Sequence, residues 1–575
     1  MNSKIWLSGV MGLVVGDACG VPVEFMKREK LKEAPVVDMR EYGTHNQPRG
    51  SWSDDSSMAL ATLKSLHKGY DLQDIMEQFS RWDKEEVYTP FGEVFDMGYT
   101  CNQAIRNYQL NEDERSCGLC GEHDNGNGSL MRILPMCLFA YEQEAMGAIS
   151  EEDALQMIHD VSALTHAHMR SKMACGLYYF LVKAILEREG KDSLSDCLQT
   201  GFDRGFSFYR KGMLNMVELV RFERLSDMEK FRAVPENTIK GSGYVLEAFE
   251  AAVWSLLQAD NYKDAILVAV NLGDDTDTTA AIAGGLAGLY YGYDAIPEAW
   301  RECIVQREWI EELCDFSLNK EDVYSGPIVD MHSHFMPGID DGSESMEMSV
   351  EMLHMAKEEG VTDLFVTSHG DYVCEIVEEY NETFNQLKKE ADKVGINLYK
   401  GCEVFCEIST WDFEGDNDDI KLIIDALDEG IYPVYDDSDY MLTEFDIGVQ
   451  PADALYIVKR IQSAGYIPVI AHAERYPFLI QKRFVETLVQ EGCLIQINAY
   501  SLVEEKTEIF KQNARYLLGR GLVHFVGTDS HRSDHRPPRM KKGVQYIWET
   551  CSKEYAKDVI YRNAYRYILE KENLT

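Results

Sequence analysis

Histidines stand where short extended runs of this sequence stop. His332 and His334 alternate with Asp330, Met331 and Ser333 in one stretch, while His369, His472 and His531 each follow a β-branched or aromatic run. Residues i and i+2 of a strand face the same way, so His332 and His334 converge on one point. Glu403 ends another run, and Asp529 lies two residues before His531. Imidazole mixed with carboxylate suits Mn²⁺, Fe²⁺ or Zn²⁺. More than four such donors require at least two ions, which together activate water as a nucleophile. Arg475 and Arg536 lie beside these donors, and guanidinium groups there would neutralise phosphoryl oxygens; the alternative for each is a surface ion pair.

A second constellation is acidic. Ser53-Asp54-Asp55 precedes a helix beginning near Ser56, and Asp275-Thr276-Asp277-Thr278 precedes an Ala/Gly-rich helix beginning near Thr279. One acid at a helix start is ordinary capping. Several together repel one another unless cations absorb the charge, and interleaved hydroxyls and carboxylates are hard donors suited to Mg²⁺ or Mn²⁺. The alternative is elaborate capping. In Ala280-Ala281-Ile282-Ala283-Gly284-Gly285-Leu286-Ala287-Gly288 the side chains are small enough for neighbouring helices to approach closely. Close packing must offset the roughly 1 kcal/mol that each helical glycine costs.

The elements that position these groups fall into two texts. At 575 residues the chain is too long for one core and fits two domains of roughly 200 to 300 residues. Apolar spacing up to about residue 315 is helical, as in Met58–Leu66, Leu155–Leu164, Met169–Glu189, Tyr244–Gln258 and Thr278–Tyr291. After a linker at 316–327, short strand-like runs alternate with amphipathic helices to the end, 328–575. Expected strands are Ile328–Met331, Leu364–Thr367, Leu398–Tyr399 with Glu403 following, Ile431–Tyr435, Tyr466–Ile470, Leu494–Asn498 and His524–Gly527. Expected helices between them are Glu347–Glu359, Val373–Val394, Pro451–Ala464 and Arg483–Glu491. The fold class is therefore multidomain: an all-α domain, 1–315, followed by an α/β distorted (β/α)7 barrel with function at the strand C-termini.

The net charge of −42 repels phosphate backbones and anionic lipids, which excludes nucleic acid and membrane surfaces as partners. An anionic substrate would need metal ions or arginines to reverse the local field. Fourteen scattered cysteines read as reduced thiols in a cytoplasmic protein. Cys117, Cys120 and His123 have the start of a zinc knuckle but no second pair, and read as a plain loop. The apolar start, Met1–Val15, runs straight into Asp17 and Glu24 without a cleavage site, and Ala280–Tyr293 is shorter than the roughly 20 residues of a membrane span.

The helical half resembles the ADP-ribosylglycohydrolases. The resemblance lies in Gly16-Asp17-Ala18-Cys19-Gly20-Val21-Pro22-Val23-Glu24-Phe25, Trp52-Ser53-Asp54-Asp55-Ser56-Ser57-Met58, Asn127-Gly128-Ser129-Leu130-Met131-Arg132-Ile133-Leu134-Pro135, Leu164-Thr165-His166, Gly241-Ser242-Gly243-Tyr244-Val245 and Gly273-Asp274-Asp275-Thr276-Asp277-Thr278. It implies an all-helical fold with two Mg²⁺ or Mn²⁺ ions held by Ser53, Asp54, Asp55, Asp275, Asp277 and Thr278, with Ser53 in place of a usual Thr. Glu24 and Asp96 become candidates for substrate handling or base catalysis, or else turn and capping acids. His166 and Arg132 fit the family pattern but read as structural residues.

The second half resembles the polymerase-and-histidinol-phosphatase superfamily, specifically its metal-dependent tyrosine phosphatases of capsule synthesis. Asp330-Met331-His332-Ser333-His334-Phe335-Met336-Pro337-Gly338-Ile339-Asp340-Asp341-Gly342, Thr367-Ser368-His369, Gly401-Cys402-Glu403-Val404, His472-Ala473-Glu474-Arg475-Tyr476 and Gly527-Thr528-Asp529-Ser530-His531 carry it. The resemblance implies two to three ions, Mn²⁺ or alternatively Fe or Zn, on His332, His334, Asp341, His369, Glu403, His472, Asp529 and His531. Arg475 and Arg536 would clamp phosphate. Ser368 and Ala473 stand where proline is usual, which bears on substrate preference. Together the two resemblances imply a bifunctional hydrolase that removes ADP-ribose from a modified side chain, arginine foremost, and cleaves phosphomonoesters, protein phosphotyrosine foremost. Its partners would be an ADP-ribosylated protein or conjugate and a phosphoprotein. The alternatives are a barrel acting on a small sugar or nucleotide phosphate, and a module that binds ADP-ribose or phosphoprotein without turnover.

Overall fold

The helix Ser3–Gly20 is apolar almost all round, the pattern of a helix with neighbours on every side. Extended to Val23 it is long and apolar enough to cross a membrane, yet 89% of its 18-residue apolar window is buried; it belongs to the first of two units, Met1–Asn319 and Lys320–Thr575. The computed structural model describes residues 3–211, 216–317, 323–374, 376–407, 419–476, 480, 483–504 and 507–569. Part of the expected linker, 318–322, lies outside the described residues.

The first unit is helical. Its elements include Asp54–Leu66, Glu151–Ala163, Met169–Leu186, Val245–Leu257 and Thr276–Tyr291, within a few residues of the spans the apolar spacing predicts. The small residues of Thr276–Tyr291 let it lie against Ser3–Gly20 at backbone contact. A Cβ on Gly16 would stand 2.1 Å from Ala280 O, and one on Gly284 2.2 Å from Gly12 O. Gly20 is closest to the acidic cluster, because a Cβ there would lie 2.3 Å from Asp277 N and Cα.

The second unit is a parallel-sheet α/β fold. Its strands are β1 (Val329–Asp330), β2 (Asp363–Val366), β3 (Asn397–Lys400), β4 (Glu403–Cys406), β5 (Tyr440–Phe445), β6 (Ile467–Ile470), β7 (Leu494–Asn498) and β8 (Phe525–Gly527). They pair in parallel as β1-β2-β3 and β4-β5-β6-β7-β8. Isolated parallel bridges link the two sheets: Ser333 to Ser530, past the ends of β1 and β8, and His369, past the end of β2, to Glu403 at the start of β4. Met331, Phe365, Leu442, Val469 and Phe525 form one buried cluster and a larger cluster packs strands against helices.

Ile431–Tyr435 is not a strand. Pro433 deprives that run of a ladder donor, and Tyr435 instead enters a 3₁₀ turn, Tyr435–Asp437, with its hydroxyl donating to Met331 O at 2.8 Å. The strand of this region is β5, Tyr440–Phe445, paired with β4 and β6. Gly401 and Cys402 divide the third expected run into β3 and β4. Four helices of this unit, Met346–Glu358, Val377–Val394, Pro451–Ser463 and Phe484–Gln490, fall close to their expected spans.

Candidate metal centres

In the helical unit, Asp17 organises the first acidic cluster from the buried helix Ser3–Gly20. Its carboxylate accepts from Ser53 N (3.0 and 3.1 Å), Ser56 N (3.0 Å) and Ser56 Oγ (2.5 Å), which fixes the start of Asp54–Leu66. The two clusters meet at Asp55. Its Oδ2 accepts from Ser53 Oγ at 3.0 Å and from Thr278 Oγ1 at 3.2 Å, across 223 residues of sequence. Asp275 stands at the N-cap of Thr276–Tyr291 without a side-chain cap bond, and its Oδ2 accepts from Asn127 Nδ2 at 2.9 Å. Capping therefore does not explain the second cluster. Asp54, Asp55 and Asp277 are buried and Asp275 is half-buried, and burial with mutual repulsion raises the pKa of Asp54, Asp55 and Asp277 well above the carboxylate range. Burial also pushes Asp275 up and Asp17 to about 6.

Asp55 Oδ1 and Asp277 Oδ2 are buried without a hydrogen-bond partner. A buried acceptor left unmade is costly, and converging carboxylates and hydroxyls with free lone pairs fit hard divalent ions. Glu24 lies beside the cluster. Burial, Asp96 and Asp275 push its pKa to about 11, and burial moves Asp96 to about 6. His45 Nε2 pairs with Glu24 Oε2 and lies 4.0 Å from Asp96 Oδ1. Arg132 and His166 serve packing. Arg132 Nη2 donates to Val161 O and Thr165 Oγ1, and burial next to Arg132 pushes His166 down to about 3, so its ring is neutral. The Cys117 thiol donates to Glu114 O and Leu164 O, while Cys120 is exposed.

In the second unit Glu403 is the hub. Its Oε2 lies 3.1 Å from His332 Nε2, 3.3 Å from His334 Nε2 and 3.3 Å from His369 Nδ1, and its Oε1 lies 3.0 Å from His472 Nε2. Asp529 Oδ1 stands 3.8 Å from His332 Nε2, 3.6 Å from His334 Nε2 and 3.6 Å from His531 Nδ1. Asp341 Oδ1 is 3.6 Å from His369 Nε2 and 3.5 Å from His531 Nε2. All eight expected donors thus share one region; the histidines and Asp529 follow strand C-termini, whereas Glu403 opens β4 instead of ending a strand. His472, Asp529 and Arg536 adopt left-handed φ of 32°, 48° and 57°, strain of the kind that clusters at functional sites.

Charge in this cluster is read from its partners. Burial would raise Glu403 and Asp529, but the imidazoles around Glu403 and Arg475 beside Asp529 hold both well below the carboxylate range. Burial would lower His334 and His472, yet Asp340 and Glu403 raise the first, and Glu403 and Glu444 carry the second to about 9. Burial and His334 push His531 down to about 3.

The outer contacts set which nitrogen faces inward. His334 Nδ1 donates to Asp340 Oδ2 at 2.8 Å, leaving Nε2 for the centre. Gln496 Oε1 accepts from the His472 backbone N–H at 2.6 Å, so it is the amide oxygen, and the His332 Nδ1 that faces it at 3.3 Å must be the donor. His332 Nε2 is thereby the inward-facing nitrogen, 3.1 Å from Glu403 Oε2. His472 Nδ1 is buried without a partner. A set of inward imidazole nitrogens around a shared carboxylate, which offer lone pairs once their protons leave, fits more than one divalent ion.

Arg475 and Arg536 both hold Asp529 Oδ2, with Arg475 Nη2 also donating to Tyr500 OH at 2.8 Å and Arg536 Nη1 facing His531 Nε2 at 3.1 Å. They line a cavity of about 500 Å³ together with Tyr500, Phe510 and Pro537. Sequence reasoning missed Asp17, His45, Asp340, Glu444 and Gln496. Glu444 lies 3.4 Å from His472 Nε2 and 3.9 Å from His369 Nδ1; it was missed because its strand was expected at Ile431–Tyr435. For Asp17 the available signal was an acid inside an otherwise apolar helix.

Comparison with known proteins follows the same division. Residues 6–326 match the family described as ADP-ribosylglycohydrolase, and residues 328–569 the family described as Capsular polysaccharide synthesis, CpsB/CapC. The ADP-ribosylarginine hydrolase Tri1 of Serratia proteamaculans is 30% identical over 308 residues, covering 53% of this chain and 76% of that protein. The ADP-ribosyl-[dinitrogen reductase] glycohydrolase of Rhodospirillum rubrum is 28% identical over 305 residues, 51% of this chain and 88% of its own. The tyrosine-protein phosphatase CpsB of Streptococcus pneumoniae is 31% identical over 254 residues, 42% of this chain and 99% of its own.

Proposed function

The chain belongs to the ADP-ribosylglycohydrolase family through residues 6–326 and to the CpsB/CapC family through residues 328–569, both of them enzyme families, and on that premise we propose a bifunctional metal-dependent hydrolase. The first unit removes ADP-ribose from modified side chains, arginine foremost. The second hydrolyses phosphomonoesters, protein phosphotyrosine foremost, on a closed, irregular parallel barrel. The observation that carries the reading is convergence: Asp55 with Thr278 in one unit, and Glu403 with four histidines in the other.

In the first unit Ser53, Asp54, Asp55, Asp275, Asp277 and Thr278 would hold two Mg²⁺ or Mn²⁺ ions. Bound there, they supply positive charge that orients ribose hydroxyls and acidifies water at the anomeric carbon. Asp17 fixes the Ser53–Ser56 turn. The Glu24–Asp96 pair, both raised by burial, can carry a proton to or from the reacting atoms. Carboxylates facing the ring stabilise the oxocarbenium-like charge.

In the second unit His332, His334, Asp341, His369, Glu403, His472, Asp529 and His531 would hold two to three ions, Mn²⁺ foremost, with Glu444 as a further donor. Bound there, they neutralise phosphoryl oxygens and activate water. Arg475 and Arg536 exchange part of their hold on Asp529 for phosphate, and Gln496 and Asp340 keep His332 and His334 in the inward tautomer. The fourteen cysteines are free thiols, which supports a cytoplasmic location.

The test uses purified full chain, stripped with chelator and re-supplied with Mg²⁺ or Mn²⁺. ADP-ribosyl-arginine, ADP-ribosyl-serine, phosphotyrosine peptide and small sugar and nucleotide phosphates are the substrates. Metal-dependent release of ADP-ribose and of phosphate is expected. Tight substrate binding without release would sink the enzymatic reading of that unit, and preference for a sugar phosphate would replace phosphotyrosine.

A further inference from the structure

One loop of the helical unit, Tyr42–Gln47, is held in an unusual shape. Tyr42 and Gln47 pair as an antiparallel bridge, and the 3₁₀ turn Gly43–His45 fills the span between them. Tyr42, Gly43 and Asn46 all take left-handed φ, of 61°, 61° and 53°. For tyrosine that conformation is unfavourable, so something must hold it. Two contacts do, and both reach the segment that carries Glu24. Gly43 lies so close that a Cβ would stand 1.8 Å from Pro22 O, and Thr44 Oγ1 donates to Glu24 O at 2.7 Å.

The turn delivers His45. Its Nε2 meets Glu24 Oε2, with Asp96 Oδ1 4.0 Å from the same nitrogen, and the ring is flanked by Phe95 and Phe25 at centroid distances of 5.2 and 6.0 Å. Glu24 is 3% exposed and His45 14%, so solvent does not compete for the pair. Asp96 is thus a second carboxyl beside the same imidazole nitrogen. Without His45, a buried carboxyl beside a second one is free to turn toward it and away from the substrate.

We propose that His45 is a positioning residue for hydrolysis in this unit: presented by the strained Tyr42–Gln47 turn, it holds the Glu24 carboxyl in its working rotamer beside Asp96. The inference rests on the ADP-ribosyl hydrolase reading of this unit, acts through Glu24, and requires no contact between His45 and substrate.

The test compares the full chain with His45→Ala, His45→Gln and Thr44→Val, using ADP-ribosyl-arginine as substrate. His45→Ala is expected to lower kcat about 10- to 100-fold, as supporting groups around a reactive site do. KM and bound Mg²⁺ or Mn²⁺ should not change. His45→Gln, which keeps a donor for Glu24, should recover most of the loss, and Thr44→Val, which loosens the turn but leaves the ring, should lose less than His45→Ala. Phosphate release by the second unit reports intact protein throughout. A His45→Ala chain as active as the parent overturns the role, as does a rise in KM alone. Loss of a bound ion equivalent also overturns it, because Glu24, His45 and Asp96 would then be ligands. A parent chain that releases ADP-ribose from no conjugate sinks the hydrolase reading itself, a distinct result.

Discussion

Gln496 offers the sharpest perturbation of the barrel centre, because one oxygen serves two candidate ligands. Gln496→Met keeps volume and removes the acceptor. Two buried donors then lose their partner, His472 N–H at 2.6 Å and His332 Nδ1–H at 3.3 Å. A buried donor left unpaired costs about 1–3 kcal/mol. His332 can escape without metal by moving its proton to Nε2, where Glu403 Oε2 waits at 3.1 Å, but His472 N–H cannot. The metal-free unit should therefore lose about 1–3 kcal/mol of stability. Metal binding suffers separately, since the escape consumes the Nε2 lone pair and the proton must return to an unpartnered Nδ1. Mn²⁺ affinity should fall about 10- to 100-fold, the usual effect of losing such an outer contact. Calorimetric titration of chelator-stripped full chain measures this, with ADP-ribose release by the first unit as the internal control. Unchanged Mn²⁺ affinity, or an equal loss in the first unit, would refute the assignment of Gln496 as the group that sets the His332 tautomer.

Other outcomes follow from the same contacts. Gly20→Ala places a methyl 2.3 Å from Asp277 N and Cα, and should abolish metal binding and ADP-ribose release in the first unit while leaving phosphate release intact. Asp340→Asn removes the charge that holds His334 Nδ1–H, and Mn²⁺ affinity in the second unit should fall on the order of tenfold or more, read by the same titration. Asp17 and Asp96 are each raised from 3.8 to about 6 by burial, so the folded, metal-free unit holds those protons more tightly than the unfolded chain does. Their contribution is fully present below pH 3.8 and lost as pH rises through about 6. With chelator the first unit's melting temperature should therefore fall between pH 5 and pH 7, by an amount reflecting about 1 kcal/mol per carboxyl, the part of the roughly 3 kcal/mol total that falls in this window. Saturating Mg²⁺ or Mn²⁺ should flatten that slope, and a metal-free melting temperature that rises across the window would contradict it.

What was legible in the sequence were the groups whose chemistry is unusual for their setting. Five imidazoles after extended runs and two acid clusters at helix starts mark themselves, since neither core packing nor solvation explains them, and the structure gathers each set, with Asp54, Asp55 and Asp277 inside the first helical turns instead of before them. The long helices were legible for a related reason: apolar spacing persists over many turns, and the Ala/Gly run of Thr276–Tyr291 states its own close neighbour. Short parallel strands carry no such redundancy. Ile431–Tyr435 has the β-branched and aromatic content of a strand but contains Pro433, whereas Tyr440–Phe445, with Thr443 and Glu444 pointing to opposite faces, resembles a surface segment. Glu444 was lost with the strand that carries it. Gln496 was hidden differently, because an uncharged amide on an apolar strand looks like a tolerated polar residue until the imidazoles on both sides of it are in place. Groups suited to touch an ion announce themselves by type, while those beside them, Asp17, Asp340, Gln496 and His45, are defined only by what folding brings next to them. Their assignments therefore rest on contacts between residues 21 to 164 positions apart for His45 and Gln496, and sequence spacing carries no trace of such contacts.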